Sequence, residues 1–249
     1  MDYFLDFATV KAGFSVQQNE PIELHYWPTP NGWKVTIMLE ELGIPYTVKY
    51  VNIGAGDQFE PAFLKIAPNN RMPAIVDPEG PDGKPISVFE SGAILQYLGR
   101  KFNKFYPKEE RAKTNVDQWL MWQMGGLGPM AGQTHHFRIY APEQVPYAIE
   151  RYTNEVNRLY GVLNKQLDGR EFIADTYSIA DMASIGWAVL WERQGQEIKQ
   201  FPHVEAWIER MKARPAVDKG LNLGIEKRQQ MQFDKDEEQQ KILFGQKAQ

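Results

Sequence analysis

Residues 22–50 change their hydrophobic period twice. The stretch "IELHYW" alternates like a short strand, "GWKVTIMLEEL" places Val35, Met38, Leu39 and Leu42 three or four residues apart, and "YTVKYVNI" returns to strand character after Gly43. That order predicts a βαβ unit. Further on, "FEPAFLKIAP" reads as a short helix, "MPAIVD" and "ISVFE" as strands either side of the "PDGK" turn, and "SGAILQYLGRKF" as a helix. The apolar runs "AIV" and "ISVF" suit a central sheet covered by helices.

Beyond "YPKEERAK" the strand signal fades and long helical patterns take over. "TNVDQWLMWQMGGLGPM" is apolar and aromatic at helical spacing, and "VPYAIERYTNEVNRLYGVLNKQL" lines Ile149, Tyr152, Val156, Leu159, Tyr160 and Leu163 along one face. "SIADMASIGWAVLWERQ" is apolar nearly throughout, which predicts a buried central helix opened by a capping box of Ser178 and Asp181. "FPHVEAWIERMKARPAV" predicts an amphipathic helix stopped by Pro215. The chain divides into an extension (1–20), an α/β unit (21–104), a helical unit (110–224) and a tail (225–249). The extension lacks a convincing period and reads as chain lying on the surface or on a neighbouring subunit. The tail, rich in Gln and mixed charge, is expected to be partly mobile or to wrap the surface.

Composition narrows the chemistry. With 249 residues the chain can bury a real core in one large domain or two smaller ones. Its 43% apolar and 24% charged residues are ordinary for a globular protein, and no apolar run approaches the roughly 18 residues that span a bilayer. The opening "MDYFLDFATVKAGFSV" has no basic segment followed by a long apolar core, so a cytoplasmic protein is expected. A net charge of −4, with Lys and Arg scattered among acids, argues against nucleic acid as a partner. No cysteine is present, which removes structural disulfides, Cys-ligated metals, CxxC pairs and a cysteine nucleophile together. Any thiol chemistry must use a thiol that arrives with a substrate. Adjacent His135 and His136 cannot face one way on a helix and nothing completes a zinc spacing, so no metal is expected. One of them is expected to pack near the boundary between the two units. Trp119, Trp122, Trp187 and Trp191 read as core, and "MGGLGPMAG" reads as a bend or end of a helix, without the Walker lysine of a phosphate loop.

Three further stretches stand out: "PTPNGWK", "NNRMPAIVD" and "VFESGAILQYL". In this order and at these separations they resemble the glutathione transferase superfamily over residues 22–217. "GDQF", "GGLGPM", "HHF" and "YAIER" are similar to the bacterial Nu class in particular. The resemblance implies an α/β thioredoxin-like N-terminal domain followed by an all-α helical-bundle C-terminal domain, a homodimer, and glutathione as cosubstrate.

Glutathione needs anion donors at one end, a backbone edge in the middle and a thiolate stabiliser at the other. Glu90 and Ser91 sit at a strand-to-helix junction, where free N–H groups and the helix dipole favour an anion; the resemblance assigns them the γ-glutamyl end. Met72 and Pro73 resemble the cis-proline turn that pairs with the cysteinyl portion. Gln58 and Arg71, with Lys34, Asn69 and Asn70 beside them, are carried over less directly, as partners of the glycyl carboxylate and backbone. At the thiol, the resemblance points to Thr29 as hydroxyl donor and Asn31 as amide donor, with the strand-end Tyr26 as competitor. Arg151 matches a helical-domain arginine near a second glutathione, although Arg151 and Glu155 are also spaced as a plain surface pair.

A thiol of pKa near 8.5 is only about 3% ionised at pH 7, and lowering it by two units takes roughly 2.7 kcal/mol. One hydroxyl hydrogen bond (about 1.5–3 kcal/mol) and a helix N-terminus (about 0.3–2) suffice together. The activity that the resemblance implies is glutathione-dependent reduction of small disulfides, carried out here without any protein cysteine. Conjugation of glutathione to small electrophiles, and a non-catalytic binding or regulatory role, remain the alternatives.

Overall fold

A computed structural model describes residues 18–229 and 236–247. The surface or neighbour-wrapping role expected of the extension falls almost entirely outside them.

The first unit carries β1 (Ile22–Tyr26), α1 (Pro30–Leu42), β2 (Tyr46–Tyr50), the short α2 (Pro61–Leu64), β3 (Ala74–Asp77), β4 (Ile86–Phe89) and α3 (Ser91–Phe102). The sheet order is β2-β1-β3-β4, with β1 parallel to β2 and antiparallel to β3. Leu24 pairs with Val48 on one side and Ile75 on the other, so β1 lies inside the sheet and is apolar at alternate positions. Helix α1 starts two residues before the helical pattern that begins at Gly32, because Pro30 occupies its first turn and Thr29 caps it, and it ends at Gly43, whose φ of +66° suits a residue without Cβ.

The second unit is helical: α4 (Glu110–Trp122), α5 (Gly128–His135), α6 (Pro146–Gln166), α7 (Ile179–Ala188), α8 (Pro202–Lys212) and α9 (Pro215–Asn222), followed by α10 (Ile225–Gln229) and α11 (Glu237–Phe244). Between α4 and α5 the chain widens into a π-helical turn over Gln123–Leu127, and a second one, His136–Tyr140, follows α5. The first lies beside Pro129, which has no N–H for a regular ladder, so the bend predicted from the glycines is a widening of one continuous rod.

Every residue of α7 is buried, and its capping box is present: Ser178 N donates to Asp181 Oδ2 at 3.0 Å and Ala180 N to Ser178 Oγ at 3.2 Å. The helix stops at Ala188, six residues short of the periodicity limit at Gln194. Side chains take over its last carbonyls, Gln194 Nε2 donating to Trp187 O at 2.8 Å and Tyr160 OH to Ala188 O at 3.1 Å. Pro215 does not stop α8, which already ends at Lys212; it opens α9 instead.

Helix α1 is the hinge of the architecture, contacting α3 within its own unit and α7 and α9 of the helical unit. Gly186 and Gly220 allow that approach: a Cβ on them would lie 2.8 Å from Pro30 O and 2.8 Å from Ile37 N. The N-terminus of α1 is thereby fixed at the seam between the units.

Candidate functional site

The turn before α1 is held by a methionine. Trp27 N lies 3.1 Å from Met72 Sδ and Thr29 Oγ1 lies 3.8 Å from the same sulfur, while the Met72-Pro73 bond is cis. Thr29 Oγ1 accepts from Gly32 N at 3.3 Å as the helix cap, so its own hydrogen points to a thioether, a weak acceptor that a better one can displace.

Two residues on, Asn31 has its amide oriented from the other unit. Trp187 Nε1, which can only donate, lies 3.2 Å from Asn31 Oδ1 and thereby leaves the Asn31 NH2 as the group offered to the cleft. Tyr26 is fully buried, with its hydroxyl donating to Leu223 O at 3.0 Å. The strand-end tyrosine is a core residue, and the donors at the mouth of the turn are Thr29 and Asn31.

Glu90 and Ser91 open α3. Glu90 has φ +68° and ψ +114°, a conformation strained for a residue with Cβ, and its side chain makes no capping bond, so the first N–H groups of α3 stay open to an anion. Its carboxylate accepts from Asn69 Nδ2 at 3.3 Å, which ties the junction to the turn preceding Met72. Ser91 Oγ lies 3.7 Å from Met124 Sδ and 3.4 Å from Lys34 Nζ. Lys34 is 1% exposed, its ammonium 2.7 Å from Gln123 Oε1, and burial pushes its pKa down to about 7 against the opposing pull of Glu90.

The strain at Glu90 makes a prediction. Glu90→Gly relieves about 1 kcal/mol of backbone cost, so Tm should hold or rise by about 2–4 °C while glutathione affinity falls about tenfold. Thermal melts and binding titrations read both; a lower Tm with affinity intact refutes the assignment.

Two cavities meet at Arg71. One of about 430 Å³ lies at the seam, lined by Asn31, Lys34, Arg71, Gln123, Gln133 and Trp187 among others. The other, of about 870 Å³, is lined by Phe59, Asn69, Asn70 and Arg71 on one side and by Lys241, Ile242, Gln246 and Lys247 on the other. Helix α11 thus crosses the cleft: Gln239 and Ile242 lie against Gly54 and Gly56, and Phe244 packs on His136 and Tyr140, ring centroids 4.7 and 6.0 Å away. The described part of the tail wraps the surface at this position.

The predicted residues do not all converge. Thr29, Asn31, Met72, Glu90 and Ser91 belong to three chain turns, joined by the Met72 contacts and the Asn69–Glu90 bond, and Arg71 lines both cavities. Gln58 is 1% exposed and turned inward, donating to Ile53 O at 3.1 Å with Oε1 lacking a partner. Arg151 lies on the exposed face of α6, 3.9 Å from Glu155, and lines neither cavity. His135 is buried against Trp187 with centroids 5.7 Å apart, while His136 faces Phe244, so the pair divides as expected of adjacent helix positions. Among the described residues no cluster suited to a metal ion occurs, and no helix is long and apolar enough to cross a membrane. Sequence reasoning missed Gln123, Met124 and the orienting role of Trp187. Helical spacing marks Trp187 as core, which it also is at 8% exposure.

Residues 29–101 match the family description "Glutathione S-transferase, N-terminal domain" and residues 128–215 match "Glutathione S-transferase, C-terminal domain". The disulfide-bond oxidoreductase YfcG of Escherichia coli is 50% identical over 202 residues, 80% of this chain and 94% of that protein. A Burkholderia graminis glutathione transferase structure with two glutathione molecules per subunit is 44% identical, with a TM-score of 0.78 over 82% of this chain and 89% of that one. A Pseudomonas putida glutathione transferase with one glutathione disulfide per subunit is 41% identical, with a TM-score of 0.79 over 82% and 92%.

Proposed function

The chain belongs to the glutathione S-transferase family, and from that premise we propose that it is a glutathione-dependent disulfide-bond reductase that works with a borrowed thiol. The observation that carries the reading is the pair of donors at the N-terminus of α1. The Thr29 hydroxyl is parked on a thioether and the Asn31 amide is fixed by Trp187, in a chain with no cysteine of its own.

In this reading Ser91 and the start of α3 hold the γ-glutamyl carboxylate, the Glu90 carboxylate holds the amine, and the Met72 backbone pairs with the cysteinyl unit. Thr29, Asn31 and the α1 dipole stabilise the glutathione thiolate. The thiolate attacks one sulfur of the substrate disulfide; a mixed disulfide forms and the other sulfur leaves as a thiolate that takes a proton from water. A second glutathione thiolate attacks the glutathione sulfur of that mixed disulfide, giving glutathione disulfide and releasing the second substrate thiol. The protein contributes thiol activation and proximity.

The alternative, conjugation to electrophiles, uses the same activated thiolate. Arg71, Lys34, Gln123 and Gln133 share the wall of the seam with Met124, Pro129 and Trp187, so it is of mixed character, whereas a site for apolar electrophiles is lined mainly by apolar side chains. Small disulfides bearing polar ends suit it better. The proposal places the protein in the cytoplasm, where the glutathione pool is kept reduced, and as a homodimer; a solution mass of one chain removes the latter.

The test is the steady-state reduction of a small symmetric dialkyl disulfide by glutathione, followed by coupled recycling of glutathione disulfide. A rate well above background with purified protein is expected. Background rate with disulfides, alongside a clear rate with aryl halides, overturns the reading in favour of conjugation.

A further inference from the structure

Lys34 is a cation without an anion. It is 1% exposed, and its ammonium lies 2.7 Å from Gln123 Oε1, 3.2 Å from Met124 Sδ and 3.4 Å from Ser91 Oγ, three neutral neighbours. Among the described residues no carboxylate pairs with it at ion-pair distance. Burying an ammonium this way is costly unless a counter-charge arrives. The place where one would arrive is next to it. Ser91 accepts from Lys34, so its own hydroxyl hydrogen is free; unliganded, that hydrogen has only Met124 Sδ at 3.7 Å. The Gln123 amide nitrogen is buried without a partner in the same wall.

We propose that Lys34 is a positioning residue for glutathione: it commits the Ser91 hydroxyl as a donor to the γ-glutamyl carboxylate and supplies that carboxylate's buried counter-charge, so that binding loads a proton onto the protein. The inference rests on the glutathione-binding reading above and extends it to a pH dependence that Thr29 and Asn31 do not produce.

The sign follows from linkage. Burial holds the Lys34 pKa near 7 in the unliganded protein, and a carboxylate brought to Ser91 raises it. Below about pH 7 the ammonium is already present and binding takes up little. Above it, up to one proton enters with the ligand, and affinity falls by up to about tenfold per pH unit until the bound-state pKa is reached. Among the other titratable or charged groups, Glu90 at the α3 junction acts on it and Arg71 lines the same cavity, while His135 on α5 lies behind that wall against Trp187. Thiolate formation runs the opposite way with pH, so the ligand used must have no thiol.

Isothermal calorimetry with S-methylglutathione, in buffers of differing ionisation enthalpy between about pH 6 and 9, separates the cases. Wild type should show Kd rising above about pH 7 with proton uptake approaching one per site. Lys34→Met should bind at least about tenfold more weakly at pH 6.5 and keep only the pH dependence of the ligand's own amine. Binding without proton uptake by wild type overturns the proposal and needs no variant, so a poorly folding Lys34→Met does not blunt the test. A Lys34→Met protein with the wild-type pH profile overturns it as well. No binding at any pH takes down the glutathione reading itself.

Discussion

Thr29→Ala should lower kcat/KM for glutathione-dependent disulfide reduction by about 10- to 150-fold, the loss of one hydroxyl bond to a thiolate worth about 1.5–3 kcal/mol. The same oxygen caps α1, accepting from Gly32 N at 3.3 Å, so Tm should also fall. Loss of the cap costs about 0.5–2 kcal/mol, which corresponds to roughly 2–6 °C in a chain of this size. The two effects separate by substitution. Thr29→Ser retains an oxygen for both tasks and should recover both; Thr29→Val keeps the shape and should recover neither. The pH profile adds a second readout. A donor that stabilises the thiolate lowers the thiol pKa, so its removal moves the rising limb to higher pH, and the variant should be most impaired near pH 7 and least above pH 9. A Thr29→Ala rate within twofold of wild type would return attention to Asn31.

The largest loss of stability is expected far from the cleft, at Asp181→Ala. Asp181 is fully buried and accepts from Ile173 N, Ser178 N and Trp207 Nε1, each at 3.0 Å, and from Ser178 Oγ at 3.3 Å. These donors come from the loop before α7, from its cap and from α8. Alanine leaves them without an acceptor in a site that water does not reach, at a cost of about 3–5 kcal/mol and a Tm lower by roughly 10 °C. Asp181→Asn should fall between, because its NH2 faces a donor. The damage should also reach the chemistry: α7 carries Trp187 at its far end, and Trp187 orients Asn31 across the seam. Differential scanning calorimetry together with the disulfide assay at a permissive temperature checks both, and a Tm within two degrees of wild type would show that another group satisfies those donors.

Much of this was legible along the chain. Residues close in sequence make short-range structure, and their types constrain it: Pro30 and Gly43 bound α1, Ser178 and Asp181 open α7, and the Met72-Pro73 bond is cis as the surrounding motif implied. The composition carried one firm chemical constraint without any coordinates, since any thiol chemistry in a chain without cysteine must use a borrowed thiol. Periodicity also told which face of α6 is apolar, with Val156, Leu159, Tyr160 and Leu163 buried. It did not tell where α7 ends, because the groups that terminate it, Gln194 and Tyr160, act as side chains on its last carbonyls.

The site itself needed the tertiary structure. Periodicity assigns a face to each residue but not the partner across that face. Trp187 and Asn31 are 156 residues apart, Gln123 and Lys34 are 89 apart, and α11 reaches the cleft from the tail. The sequence therefore pointed, through its resemblance to the glutathione transferase superfamily, to activation of a glutathione thiol and to Thr29 and Asn31 as the groups for it. Only the packing of α1 against α7 and the π-helical turn decided which way Asn31 points and what surrounds Lys34, because each depends on groups that folding alone brings together.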